Sequence, residues 1–180
     1  MIWLVRHGEP DWPGGALGWS DPPLTAAGRA QASAAAGRLE GRPLGAVHTS
    51  DLRRAAETAA LVAAPHRLPV RLDADLRELS FGRWEGRDLT ALWQEQPEAA
   101  REWEADLHRT PADFGESLAD LERRVARFAA GLGRPAGDVA VVAHRGSLAV
   151  LQSLLTGADL AAVWRLGFDL AEVRPLELPC

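Results

Sequence analysis

Cysteine is nearly absent from this 180-residue chain: its single thiol is Cys180, the last residue. That excludes an internal disulfide framework and a thiolate metal cluster, and it fits a reducing compartment. Long apolar runs are missing too. The stretch Met1-Ile2-Trp3-Leu4-Val5 is interrupted by Arg6, far short of a signal-peptide core, and no later stretch approaches membrane-spanning length. A cytoplasmic chain with no membrane contact is the expectation. Positive charge is not in excess. Twenty Lys and Arg against 25 Asp and Glu leave a net charge of -5, with no sign of the concentrated basic surface that nucleic acid requires. An anionic small molecule remains compatible, because a few local arginines act at distances over which net charge is screened. Repeats, low-complexity tracts and linkers are also lacking, and the length suits a single domain, 1–180.

What is present alternates between strand and helix signals. Ile2–Val5 is a continuous apolar run that reads as a buried central strand, and Ala46–Thr49 is a second, shorter candidate. Asp138–Ala143 is the strongest strand pattern in the chain. Residues 171–178 suit an edge strand, since Pro175 cannot donate to a central ladder. Thr25 is placed to cap an Ala-rich helix running to Leu39, and Ser50 or Asp51 to cap a helix with Ala55, Ala59 and Val62 on one face. Residues 65–86 read as irregular or extended. Residues 88–108 read as one or two helices broken near Pro97. Ser117 and Asp120 have capping-box spacing ahead of a helix bearing Leu121, Val125 and Phe128, and a last helix is expected over about 147–155. This pattern implies an α/β three-layer sandwich with a mostly parallel central sheet and helices on both faces.

Two of these strands run directly into a histidine, as Arg6-His7-Gly8 and His144-Arg145-Gly146. Ligands of parallel α/β sheets bind beyond the carboxyl ends of the strands. The strand at 46–49 leads to Arg53 and Arg54 near the same rim. Two histidines and several arginines brought together there would suit a tetrahedral anion. A metal held by His7, Glu9 and His144 is disfavoured, because clustered carboxylates and His-x-x-x-His spacing are absent and the arginines would repel a cation.

The motifs Arg6-His7-Gly8-Glu9, Pro23-Leu24-Thr25-x-x-Gly28, Thr49-Ser50-Asp51-Leu52-x-Arg54-Ala55, Leu76-Arg77-Glu78-Leu79-x-Phe81-Gly82-x-Trp84-Glu85-Gly86, Gly115-Glu116-Ser117 and Ala143-His144 occur in this order along nearly the whole chain. The series resembles the histidine phosphatase superfamily, also called phosphoglycerate mutase-like, and within it the branch of α-ribazole and broad-specificity phosphatases. The resemblance implies a metal-independent enzyme without cofactor that hydrolyses a small phosphomonoester. His7 would be the nucleophile and form a phosphohistidine. Arg6 and Arg54 would clamp the phosphoryl oxygens. His144, made cationic by the phosphate, would bind it and stabilise developing charge. Glu78 would protonate the leaving oxygen and later activate water. Glu9, Trp12 and Trp19 belong to a loop expected to overhang the site. The two tryptophans would favour a substrate with an apolar or aromatic group.

The chain departs from the family pattern at Pro10 and Pro13, where Thr or Ser and an Asn are usual, and at Arg145, where a small residue is usual. Two alternatives stand beside the phosphatase. A cofactor-dependent phosphoglycerate mutase shares the His7 chemistry but passes the phosphoryl group to a second hydroxyl. A catalytically silent phospho-ligand-binding module would retain the clamp alone. His48, His66 and His108 match no motif and read as structural or solvent-facing. A homodimer is left open, with 88–108 the segment where an interface or lid would sit.

Overall fold

The structure, a computed structural model, describes residues 1–106, 108, 109, 113, 115–133 and 137–176. Cys180 and the last two residues of the strand expected over 171–178 lie outside the described residues. Five strands form one sheet: β1 (Ile2–Arg6), β2 (Leu44–Thr49), β3 (Val70–Leu72), β4 (Asp138–Ala143) and β5 (Val173–Leu176), in the order β3-β2-β4-β1-β5. Four of the strands run parallel. Only β5 pairs antiparallel, at the edge, with Pro175 opposite Trp3. A proline there costs no central ladder bond.

Side chains alternate across the sheet, so each strand feeds two cores. Ile2, Leu4, Val139, Val141 and Ala143 face Leu121, Val125 and Phe128 of α5 (Leu118–Gly131) and Leu148 and Leu151 of α6 (Arg145–Thr156). On the other face Trp3, Val5, Val47, Ala140 and Val142 meet Ala35, Ala36 and Leu39 of α1 (Ala26–Leu39) and Ala59, Val62 and Ala63 of α2 (Arg53–Ala63). A third, smaller cluster joins Trp84 and Leu92 below α3 (Leu89–Glu95) and α4 (Pro97–Ala105), whose junction falls at Pro97. No described helix is long and apolar enough to cross a membrane.

Several local expectations need correction. α2 starts at Arg53 with Leu52 at its N-cap and no side-chain cap. The carboxylate of Asp51 is engaged instead by a bidentate pair with Arg77, at 2.7 and 2.6 Å, and Ser50 Oγ accepts from Leu52 N. α6 starts two residues earlier than expected, at Arg145, because Ser147 Oγ accepts the amide of His144 and ties off the first turn from inside the helix. The span 65–86 includes a short parallel strand, β3. A helix not anticipated, α7 (Leu160–Leu166), is capped by Asp159, which accepts from Ala162 N. The caps expected at Thr25 and at Ser117 with Asp120 are present.

Candidate active site

The three central strands end at one rim. His7 N donates to Ala143 O at 3.1 Å, so the residue after β1 is locked to the end of β4, and Ala171 N closes the other side on His7 O. The imidazoles of His7 and His144 stand 5.0 Å apart between centroids, tilted by 59°. His7 Nδ1 lies 2.7 Å from Gly8 O. A carbonyl can only accept, so Nδ1 carries the proton and Nε2 keeps its lone pair.

Glycine at positions 8 and 28 lets the loop after His7 settle against the first turn of α1. A Cβ on Gly8 would fall 2.3 Å from Gly28 O, and one on Gly28 would fall 2.1 Å from Glu9 O. Thr58 of α2 secures the same loop. Its hydroxyl accepts from Gly8 N and donates to Arg54 O, linking the loop after His7 to the helix that carries the second arginine.

Arg54 is fully buried. Its Nη atoms donate to Ser20 O and Gly18 O, both at 2.7 Å. Arg6 Nη1 donates to Phe168 O at 2.6 Å. The Nε of each arginine and both ring nitrogens of His144 are buried without a hydrogen-bond partner. Buried polar groups left in that state are costly and point to a binding site. Burial lowers the pKa of both arginines, opposed chiefly by Glu78. His7 is pushed down to about 3, mainly by burial and then by Arg54. His144 moves well down for the same two reasons. Both imidazoles are neutral near pH 7, so a cationic His144 requires an anion beside it.

That depression has a consequence for stability. Unfolded His7 takes up a proton as pH falls below 6.5, while folded His7 resists protonation until about 3. The stabilisation present above 6.5 is therefore lost through that window, at roughly 1.4 kcal/mol per pH unit for one such group. His144 adds to it with the same sign. Denaturant melts in buffers free of phosphate and sulfate should show stability falling from pH 6.5 downward, above the carboxylate range. His7→Gln should flatten that slope, and an unchanged slope would assign the acid sensitivity elsewhere.

Glu78 reaches the rim from the segment after β3. Its Oε2 accepts from Gly146 N at 3.0 Å and its Oε1 from Leu79 N at 2.9 Å. Two residues beyond those singled out in the sequence hold this segment. Arg124 in α5 is buried and uses all five of its donors: Nε and Nη2 to Glu116, Nη1 to Asp75 O and Arg77 O, and Nη2 to Glu78 O. Glu85 accepts from the amides of Gly18, Trp19, Ser20 and Phe81. It thereby shapes the turn whose carbonyls hold Arg54. Arg124 carried one sequence signal, its place beside Leu121 and Val125 on the apolar face of a helix. Glu85 carried none beyond its motif.

The loop residues are placed unequally. Trp19 donates from Nε1 to Glu78 O and is covered by the Arg77 guanidinium, 4.8 Å from the ring centroid, so it braces Glu78. Trp12 packs toward Gly86. Glu9 touches α1 through its backbone, at Gln31 and Thr25. His48 lies edge-on to Phe128, and His108 pairs with Glu122 at 2.8 Å. Among the described residues, no three His, Cys, Asp or Glu side chains come together as a metal-binding group. A cavity of about 130 Å³ opens beside Glu78, bounded by Leu17, Leu79, Phe81, Arg145, Gly146 and Trp164.

Comparison with known proteins agrees with this geometry. Residues 2–179 match the histidine phosphatase superfamily (branch 1). The chain is 36% identical over 172 residues to the adenosylcobalamin/alpha-ribazole phosphatase of Escherichia coli (strain K12), covering 93% of this chain and 85% of that protein. It is 31% identical over 179 residues to phosphoserine phosphatase 1 of Hydrogenobacter thermophilus, with 97% and 85% covered. The crystal structure of the alpha-ribazole phosphatase from Shigella flexneri superposes with a TM-score of 0.86 at 32% identity, covering 96% of this chain and 87% of that one.

Proposed function

The chain belongs to the histidine phosphatase superfamily and is a hydrolase of phosphate monoesters; from that premise we propose that it works through a phosphohistidine on His7, with Glu78 as the proton donor. One observation carries the assignment: neutral His7, with Nε2 free and Nδ1 held by Gly8, lies beside Arg6 and Arg54, each with a buried Nε that has no partner, and His144, whose two buried ring nitrogens have none. These groups suit the oxygens of a phosphoryl group, which bring the charge that buried guanidinium and imidazole donors need.

In the first transfer, His7 Nε2 forms a bond to phosphorus as the ester P–O bond breaks. Glu78 gives its proton to the departing alcohol oxygen. Arg6, Arg54 and His144 bind the three non-bridging oxygens. In the second transfer, the Glu78 carboxylate takes a proton from water as that water attacks phosphorus. The P–N bond breaks, and His7 returns neutral with its proton still on Nδ1. The carboxylate of Glu78, fixed by two amides, is in place for both steps. The cavity at Glu78 favours a short alcohol, such as the serine in one relative's name, over a larger one, such as the ribazole in another's.

Phosphate release from p-nitrophenyl phosphate and from a panel of biological monoesters tests the assignment. Release without any bisphosphorylated primer is expected. Isomerisation of 3-phosphoglycerate that depends on 2,3-bisphosphoglycerate, with little free phosphate, would make the chain a mutase. Binding of esters without turnover would leave a silent binding module.

A further inference from the structure

Arg145 stands where the family pattern has a small residue, and the structure gives its side chain a defined place. It is the first residue of α6, directly after His144, and the amide of the next residue holds the Glu78 carboxylate. The guanidinium lies along the turn after α7: Nη2 donates to Trp164 O at 3.4 Å, and a Cβ on Gly167 would fall 2.7 Å from its Nε. Arg145 is close enough to Arg6 to lower the pKa of that guanidinium. It forms no ion pair with any described residue. Glu78, and more weakly Asp169 and Glu172, offset the charge on Arg6, and Arg145 adds a further positive charge on this side of the site that an anion bound there would meet.

The cavity beside Glu78 says where that anion would sit. A departing alcohol whose oxygen meets Glu78 has to extend away from phosphorus, into the space bounded by Leu17, Leu79, Phe81 and Trp164. Those walls are apolar. Glu78 is occupied at the ester oxygen, which leaves Arg145 as the charged side chain that can read the rest of the alcohol. We propose that Arg145 is a specificity-determining residue that binds a carboxylate carried on the alcohol part of the substrate, a few bonds from the ester oxygen. The planar fork of a guanidinium matches the two oxygens of a carboxylate, and the small cavity favours a short acid over a bulky neutral group. This inference rests on the phosphatase reading above.

The matched esters 3-phosphoglycerate and glycerol 3-phosphate test it, since they differ in a carboxylate against a hydroxymethyl group. With p-nitrophenyl phosphate as a third substrate, kcat and KM are measured for wild type, Arg145→Gln and Arg145→Lys. Wild type should favour 3-phosphoglycerate over glycerol 3-phosphate by about 10-fold or more in kcat/KM, as expected for one charge-assisted contact. Arg145→Gln should raise KM for 3-phosphoglycerate by about the same factor and collapse the preference. Arg145→Lys should retain part of it. A preference unchanged by Arg145→Gln would overturn the proposal. So would an equal loss on all three esters, which would make Arg145 a clamp on the transferring phosphoryl group. If wild type turns over no ester, the phosphatase reading fails first. Competition binding of the same two esters to wild type and Arg145→Gln then still decides what Arg145 recognises.

Discussion

Alanine in place of His7 is expected to lower steady-state phosphate release by about 10⁴-fold or more, the scale seen when a covalent nucleophile is removed. The reason is local. His7 Nδ1 is committed to Gly8 O, so Nε2 is the atom that can bond to phosphorus, and His144, 5.0 Å away, is fully buried with no accepting group to orient it for attack. The clamp should survive the change. Arg54 is held by Ser20 O and Gly18 O, and Arg6 by Phe168 O, none of which depends on the imidazole. Inorganic phosphate and vanadate should therefore still bind His7→Ala while turnover is lost. Phosphate release within about 10-fold of wild type would mean that water attacks the ester directly and that His7 is a binding group only.

Gly146→Ala should be the most damaging conservative change in the site. The missing Cβ would lie 2.3 Å from Glu78 Oε1 and 3.2 Å from the Trp164 ring. The residue is the second of α6, and Gly146 through Leu151 are buried, so the backbone has little room to retreat, and the carboxylate has to move. Displacing a general acid costs about 10²–10⁴-fold. The loss should depend on the leaving group. An alkoxide needs the proton from Glu78, whereas p-nitrophenolate departs without one. Stopped-flow kinetics of Gly146→Ala should show a retained burst of p-nitrophenol followed by slow turnover, because the second transfer still needs Glu78 to activate water. With alkyl esters the first transfer itself should fall. Equal losses on both classes of ester would argue that Glu78 is not the acid and that the variant acts through general disorder of the rim.

Much of this architecture was legible in the sequence because its signals are local. The runs Ile2–Val5 and Val139–Ala143 could hardly be other than buried strands, and each ends on a histidine, so β1 and β4 and the rim they share followed from position alone. The α/β layering followed from the alternation of those strands with helices that carry one apolar face. Features built on long-range contact were less visible. Asp51 looked like a helix cap, but Arg77, 26 residues away, binds it more effectively than a helix amide would. α7 has Ala161, Ala162 and Leu166 exposed, so its seven residues show little amphipathic pattern.

The supports of the site were hidden for the same reason. Arg124 holds Glu78 through carbonyls more than 40 residues earlier in the chain, and Glu85 shapes the 18–20 turn from more than 60 residues later. Backbone contacts of this kind leave no spacing to read. Trp19, expected to face the substrate, is tied by its indole N–H to the backbone of Glu78 and stacked under Arg77, an arrangement that depends on two segments far apart in the chain coming together.

The most direct test is to mix enzyme with a phosphate ester on the millisecond scale, quench under alkaline conditions that preserve phosphohistidine, and map the modified peptide by mass spectrometry. One phosphoryl group on His7, formed at the rate of the alcohol burst and absent from His7→Ala, is the expected result. A chain that turns over the ester with no phosphoryl group on His7 at any time point would contradict a histidine nucleophile.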